Sequence, residues 1–317
     1  MVNTASLSNS VDPLLVFGGP YSNLEATRAI LAEAERLGVP PARTYCTGDL
    51  VAYCGSPVET IELVRNSKIH VVMGNCDEQL ANGAGDCGCG YPEGSLCERL
   101  SSTWFALADA RIDDRDRRWL GQLPRRIDVG IGGRRLTVIH GAVRVINAFV
   151  FATTPAAVKH RELDLVGCDG IIGGHSGLPF TDIVDGRLWH NAGVIGMPAN
   201  DGTPRVWFSL ISPCAEGLKI EHRVLDYDHA RAATAMAMAK LPPEYRISLS
   251  TGIWPSCDVL PPREASRQGT PLEATTIYWN NTGEGASRSE LAWPSFSVET
   301  VDRPDESRLP YHGRTHE

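Results

Sequence analysis

Four side chains that can bind a metal each follow a short apolar segment and stand beside a glycine: Asp49, Asn75, His140 and His175. Each apolar segment is typical of a buried strand, and open α/β sheets place their ligands at the carboxyl ends of strands. A carboxylate, an amide and two imidazoles suit Fe, Mn or Zn better than Ca or Mg, which prefer oxygen alone. The four residues therefore predict a transition-metal site. Taken singly, each also fits a turn residue or a hydrogen-bonded histidine near the core.

The cysteines offer a second kind of chemistry. Nine are present, and four of them crowd the segment from Asn75 onward: Cys76, Cys87, Cys89 and Cys97. An odd number in a chain with a cytosolic character argues against a disulfide framework. The C-x-C spacing of Cys87 and Cys89 lets two thiolates chelate one ion, and structural zinc or iron–sulfur sites use three or four thiolates. Three interpretations remain open: extra ligands for the predicted metal site, a separate structural zinc, or a reduced loop without metal.

Composition limits the function classes. The chain has 317 residues, of which 42% are hydrophobic and 21% charged, so it can bury a large core. No apolar run approaches the roughly 20 residues that a membrane span needs, and the first residues lack the pattern of a signal peptide, so we expect a cytoplasmic location. The net charge of -8 argues against a general nucleic-acid binder, although a local basic patch remains open. We expect a small-molecule partner.

Short strands and helices alternate along the chain and must position these side chains. Strands are predicted at residues 14–17, 44–47, from 70 to the turn at Gly74, at 135–139, 170–172 and 187–190. A hairpin is predicted from 206–211 and 218–225. Helices are predicted at 24–37, 57–65, 101–110, 113–123 and 229–240.

The chain divides into three parts by composition. Residues 13–225 carry the alternating elements and form the predicted main domain. Residues 226–269, with an alanine-rich helix, prolines and isolated tryptophans, are expected to form an ordered C-terminal addition. Residues 270–317 are rich in Ser, Thr, Pro and charge and are expected to be an extended or loosely packed tail.

The chain resembles the calcineurin-like metallophosphoesterases. The residues that carry the resemblance, in order, are Gly48-Asp49, Gly74-Asn75-x-Asp77, His140-Gly141 and Gly174-His175. Residues 22–26 and 191–198 also look like segments of the bacterial phosphodiesterase branch of that family, and the resemblance spans residues 14–225. It implies a four-layer α/β/β/α sandwich with a metal site at one edge of two sheets. It also implies two metals that share the Asp at position 49, and hydrolysis of phosphate esters by a metal-activated water.

The departures from the family are concentrated at one of its two metals. The first motif has Gly19 and Tyr21 where the family has an Asp and a His, and Gly177 stands where the family has a second His. The resemblance assigns all three missing ligands to one metal, and assigns Asp49, Asn75, His140 and His175 to the other. It therefore implies one or two ions, with one position kept and the other lost or rebuilt with Cys or Tyr. The Tyr21 hydroxyl is expected to contact a ligand or water there.

Cys76 replaces a His that in the family contacts the phosphate and protonates the leaving group. Cysteine is a poor general acid but a good nucleophile and soft ligand. Cys76 is therefore a candidate catalytic residue together with Tyr21, and its interpretations as nucleophile, redox-active thiol, replacement ligand or tolerated small residue all stay open.

Two function classes follow. The first is a metal-dependent hydrolase that acts on a phosphoester or a related small substrate. The second is a non-catalytic metal-binding or regulatory module on the same fold. The intact set of polar residues at one metal position favours the hydrolase.

Overall fold

The structure, a computed structural model, describes residues 10–91, 93–280 and 285–287. In chain order its strands are β1 (Leu14–Phe17), β2 (Thr44–Cys46), β3 (His70–Val71), β4 (Ile127–Ile131), β5 (Arg134–Val138), β6 (Gly170–Gly173), β7 (Phe180–Val184), β8 (Arg187–Asn191), β9 (Val206–Cys214), β10 (Gly217–Leu225), β11 (Thr275–Asn280) and β12 (Gly285–Ser287). Its helices are α1 (Leu24–Arg36), α2 (Pro57–Ser67), α3 (Asn75–Asn82), α4 (Leu96–Arg111), α5 (Asp114–Leu120), α6 (Ala156–Val166), α7 (His229–Met238), α8 (Pro243–Thr251) and α9 (Pro262–Ala265).

The strands form two sheets. In the described residues the first sheet has the order β12-β11-β10-β9-β1-β2-β3, and the second has the order β4-β5-β6-β8-β7. Strands β1, β2 and β3 run parallel, as do β5, β6 and β8. Parallel neighbours end at the same edge of a sheet, so the loops after β2, β3, β5 and β6 can meet.

Alternation along the strands sorts the core into layers. Leu14 and Val16 of β1 point toward the second sheet and pack in a cluster that contains residues of both sheets. Leu15 and Phe17 point the other way, into a cluster with α1, α2, α4, α7 and α8. On the far side of the second sheet, Leu163 of α6 packs against β6 and β8. The order helices, sheet, sheet, helix confirms the predicted four-layer sandwich.

The stretch after β3 differs from the prediction. Residue Gly74 ends the extended backbone, and Asn75 begins α3 instead of lying in an open turn. The Asp77 side chain accepts a hydrogen bond from the Gly74 backbone N–H at 2.9 Å, which caps the first turn of the helix. Asn75 and Cys76 therefore sit at the amino end of a helix, whose N–H groups favour negative charge.

The segment after β10 returns to the main domain. Helix α7 packs on α1 and on α8, and Tyr245 and Leu249 of α8 are buried in the same cluster as Leu15. Farther on, β11 pairs with β10, and its Trp279 is fully buried between the sheets. Part of the predicted tail is thus extended and packed, while residues 288–317 lie outside the described residues. None of the described helices combines the length and apolarity required to cross a bilayer.

Candidate metal centre and the adjoining cleft

The structure brings Asp49, Asn75, His140 and His175 together at the carboxyl edges of both sheets. Asp49 follows β2, Asn75 opens α3, and the two histidines follow β5 and β6. His140 Nε2 lies 3.3 Å from Asp49 Oδ2, 3.0 Å from Asn75 Oδ1 and 3.1 Å from His175 Nδ1. The donor atoms of Asp49, His140 and His175 lie within 4.8 Å of one another, and all three residues are buried.

Hydrogen bonds on the outer side fix which atoms face inward. His140 Nδ1 lies 2.6 Å from the Thr47 carbonyl oxygen, which can only accept, so the Nδ1–H donates there and the neutral ring presents a lone pair at Nε2. The Asn75 amide nitrogen donates to the Cys87 carbonyl at 2.9 Å, which leaves Oδ1 facing inward. Asp49 Oδ2, Asn75 Oδ1 and His175 Nδ1 therefore surround His140 Nε2, and a proton or a bound cation can lie between them. The donor set fits a first-row transition metal.

The protonation states agree with a ligand role. Burial opposes ionisation of Asp49, but the neighbouring His140 and His175 outweigh it and hold the pKa of Asp49 below its usual value. Burial and the proximity of His140 lower the pKa of His175 to about 3, so its ring is neutral. For His140, burial favours the neutral ring, but the Asp49 carboxylate outweighs it and raises the pKa. A bound cation competes with that proton, so metal binding at this site releases protons.

The backbone around Asp49 is held by glycine and by Asp77. A Cβ at Gly74 would collide with the Asp49 backbone and with its Oδ1 atom. Asp49 itself has a left-handed backbone with φ of 57°, an uncommon conformation for this residue. The Asp77 carboxylate stabilises that conformation, because it accepts hydrogen bonds from the N–H groups of Asp49 and Leu50, both at 2.9 Å.

The chain matches a known family over most of its length. Residues 21–211 match the calcineurin-like phosphoesterase superfamily domain, a match that covers more than half of the 317 residues. The chain belongs to the calcineurin-like phosphoesterase superfamily. All four convergent residues lie within the matched range.

One relative found by sequence and two solved structures resemble most of this chain. An uncharacterized protein of Methanocaldococcus jannaschii is 25% identical over 252 residues, which cover 72% of this chain and 93% of that protein. A metallophosphoesterase from Sphaerobacter thermophilus has a TM-score of 0.61 at 23% identity and covers 77% of this chain and 100% of its own. A hypothetical protein from Pyrococcus horikoshii has a TM-score of 0.64 at 20% identity, over 76% of this chain and 99% of its own. These similarities support the α/β/β/α architecture.

Aromatic side chains lie beside Gly19 and Gly177, two residues at which the sequence departs from the superfamily pattern. A Cβ at Gly19 would collide with the Tyr21 ring, which lies across the space that a side chain at position 19 would use. A Cβ at Gly177 would lie 3.4 Å from Cη2 of Trp254. Trp254 is held there because its indole N–H donates to the Pro198 carbonyl at 2.6 Å. Tyr21, Gly177 and Trp254 thus line one cleft, and the Tyr21 and Trp254 rings fill space beside the two glycines.

The cysteine-rich segment folds back onto Asn75. Cys76 Sγ and Cys89 Sγ each lie 3.5 Å from the Asn75 amide nitrogen and 3.9 Å from each other. Cys87 and Cys89 are paired as a disulfide across one intervening residue. The reason is local: Gly88 has φ of 62°, a left-handed conformation that lets the chain turn between the two cysteines. Burial and the nearby Asp49 raise the pKa of the Cys76 thiol well above its usual value.

Cys97 lies apart from that sulfur group. It belongs to α4 and lines a cleft that opens beside His175. Six aromatic side chains line the same cleft: Tyr21, Tyr53, Tyr91, Phe149, Tyr245 and Trp254. The cleft is therefore continuous with the candidate metal centre and bounded largely by ring carbons.

Several supporting residues were not predicted from the sequence. Thr47 orients His140 through a backbone carbonyl, an interaction that depends on the fold and has no side-chain signature. Asp77 belongs to a recognised motif, but its role in holding the Asp49 turn appears only in three dimensions. Of these residues, Trp254 was the easiest to suspect from the sequence. An isolated tryptophan in a proline-rich segment is unusual at the surface and indicates packing against another part of the protein.

Proposed function

We propose that this protein is a metal-dependent phosphoester hydrolase that binds one Fe, Mn or Zn ion through Asp49, Asn75, His140 and His175. The convergence of Asp49 Oδ2, Asn75 Oδ1 and His175 Nδ1 on His140 Nε2 carries the proposal, because a buried carboxylate, an amide oxygen and two imidazoles form a donor set that fits one first-row transition metal. Membership of the superfamily supports a phosphoester as the substrate. We retain the sequence-based predictions of a cytoplasmic location and of a small-molecule partner without nucleic acid.

Residues of this chain orient the candidate ligands for phosphoester hydrolysis. A bound ion supplies positive charge that polarises a phosphoryl oxygen and acidifies water. Asp49 contributes the single negative charge of the set, and Thr47 keeps the His140 lone pair directed inward. The Cys87 carbonyl keeps the Asn75 oxygen directed inward in the same way. The Tyr21 side chain lines the cleft beside His175, and we propose that its hydroxyl contacts the substrate.

Metal analysis of a ligand variant tests the proposal. His140→Ala removes the atom at the centre of the set and should reduce bound metal and phosphodiesterase turnover together, turnover by about 100-fold or more. His160→Ala is the matched control, because His160 lies on α6 in ion pairs with Asp164 and Asp185. Elemental analysis of protein purified without added metal, together with an absorption spectrum, identifies the ion. Unchanged metal content in His140→Ala would contradict the proposed site.

A non-catalytic metal-binding module is the second candidate. It is favoured by one observation: the Tyr21 ring and Trp254 lie against Gly19 and Gly177, the positions at which the resemblance implies lost ligands of a second metal. A single ion provides less positive charge than a pair, which weakens ordinary two-metal catalysis. Stoichiometric metal in the wild-type protein, without turnover of any phosphomonoester or phosphodiester, would establish this alternative.

The Tyr21 hydroxyl has a separate test. Tyr21→Phe keeps the ring that packs over Gly19 and removes only the hydroxyl. If the hydroxyl contacts the substrate, the variant should keep its metal and lose about 10-fold in kcat/KM. Unchanged kcat/KM would show that Tyr21 acts by packing alone.

A further inference from the structure

The cleft beside the candidate metal centre has a wall of aromatic side chains that pack against one another. Tyr53 is its centre: its ring lies 4.8 Å from Tyr21 and 4.7 Å from Tyr245, and its hydroxyl lies 2.8 Å from that of Tyr91. These contacts join residues of the main domain, the cysteine-rich segment and α8. The rings are therefore positioned by the tertiary structure before any ligand binds, which lowers the entropic cost of binding.

The wall continues to the metal ligands. The ring of Phe149 lies 4.2 Å from the ring of His175, and His175 itself lines the cleft. Trp254 bounds the cleft beside Gly177. A molecule whose phosphate lies at Asp49, Asn75, His140 and His175 would thus extend its organic part between these rings.

The charge of the cleft restricts that molecule. No Lys, Arg, Asp or Glu is among the described residues that line it. A divalent ion with the Asp49 carboxylate, two neutral imidazoles and an amide leaves one net positive charge. That charge matches the single negative charge of a phosphodiester, whereas the dianion of a phosphomonoester would lack a second countercharge. A cationic substituent would likewise find no carboxylate in the lining.

We propose that the cleft binds an uncharged, planar aromatic group of a phosphodiester whose phosphate lies at Asp49, Asn75, His140 and His175. This inference rests on the proposed function, since it uses the same metal centre. The cleft opens to solvent beside Tyr53, Phe149 and Trp254, so a planar group can enter from outside and lie against these rings. Tyr and Trp rings attract such a group through offset or edge-to-face contacts.

Three ligands that differ only in their ester group distinguish binding of an aromatic group from binding of an aliphatic or a cationic group. Methylphosphonate monoesters carry the single charge of a phosphodiester, and their ester group is chosen as benzyl, cyclohexylmethyl or 2-(trimethylammonio)ethyl. Calorimetric titration of the metal-loaded protein measures affinity without requiring turnover. The benzyl ester should bind about 10-fold more tightly than the cyclohexylmethyl ester, which has a similar size but no π system. Equal affinities, no binding, or preference for the trimethylammonio ester would overturn the proposal.

Variants of cleft residues test whether the cleft causes the preference for the benzyl ester. Trp254→Leu should reduce the benzyl preference to less than about 3-fold, and Phe149→Leu, on another part of the wall, should do the same if Trp254→Leu does not fold. Trp119→Leu is the matched control, because Trp119 lies on α5 over Arg65, outside the cleft lining. A benzyl preference retained in both cleft variants would overturn the proposal.

Turnover assays keep the two proposals distinguishable. Hydrolysis of phosphodiesters without any aromatic preference would contradict the cleft proposal and leave the hydrolase function standing. A benzyl preference in the titration, without hydrolysis of any phosphodiester, would support the cleft proposal and contradict the hydrolase function.

Discussion

At the scale of single residues, the candidate centre depends on Gly74 as much as on its ligands. Gly74→Ala places a Cβ where Asp49 Oδ1 and the Asp49 backbone lie, so we expect a loss of about 2 kcal/mol or more in unfolding free energy, with weaker metal binding. Denaturant unfolding and metal titration measure both effects. Gly85→Ala is the control, since a Cβ there meets nothing within 4 Å, and it should change stability by less than about 0.5 kcal/mol.

The surroundings of the Cys76 thiol indicate which role this residue can have. Its thiol is 1% exposed, and burial together with Asp49 raises its pKa, so the thiolate that a nucleophile needs is disfavoured. These contacts favour a positioning role beside Asn75 over nucleophilic catalysis. Cys76→Ser should therefore keep its metal and lose less than about 10-fold in turnover. A loss of several hundred-fold with full metal content would instead establish Cys76 as a nucleophile.

At the scale of elements, the cysteine-rich segment holds the amino end of α3. The Cys87 carbonyl accepts from the Asn75 amide, and the Cys87–Cys89 disulfide closes the loop that presents this carbonyl. The double variant Cys87→Ser/Cys89→Ser should weaken metal binding by about 10- to 100-fold, as loss of a partner behind a metal ligand commonly does. Cys214→Ser, on β9 away from this loop, is the control. Complete loss of metal in the double variant would point to the two sulfurs as ligands.

At the scale of the whole molecule, a buried histidine pair links the two sheets. The Thr181 hydroxyl of β7 lies 2.8 Å from His190 Nδ1 and 2.8 Å from His222 Nε2, and His222 belongs to β10 of the other sheet. Burial lowers the pKa of His222 to about 4, and burial together with His222 lowers the pKa of His190 well below its usual value. Both rings are therefore neutral in the folded protein at neutral pH.

This pair makes the stability of the sandwich pH-dependent. Because the folded-state pKa of His222 is depressed, its contribution is full above the unfolded pKa of about 6.5 and is lost as the pH falls toward 4. Between pH 7.5 and pH 5 the wild-type protein should lose about 2 kcal/mol more than His222→Asn, which keeps a polar group beside Thr181 but does not titrate. Denaturant unfolding of both proteins at pH 7.5 and 5 measures the difference. The same pH dependence in both would contradict this account.

The sequence by itself determined the main architecture and the candidate ligands. Short apolar runs followed by Asp49, Asn75, His140 and His175 predicted both the strands and the edge at which they end, because strand hydrophobicity and turn chemistry are local properties. The hairpin of β9 and β10 was predicted for the same reason and is confirmed. Strands β4 and β7 and helix α6 were not predicted, since their patterns are short and their apolar faces are defined by the partners that they cover.

Only the tertiary structure decided what surrounds the ligands. Trp254 reaches Gly177 and Tyr245 reaches Tyr53 across long separations in sequence, and no local pattern encodes which ring fills which space. The return of Cys89 to Asn75 and the pairing of His222 with the other sheet depend equally on how distant segments pack. Residue type and position after a strand are thus enough to predict the candidate ligands. The shape and charge of the cleft arise from close packing between parts of the chain that are far apart in sequence.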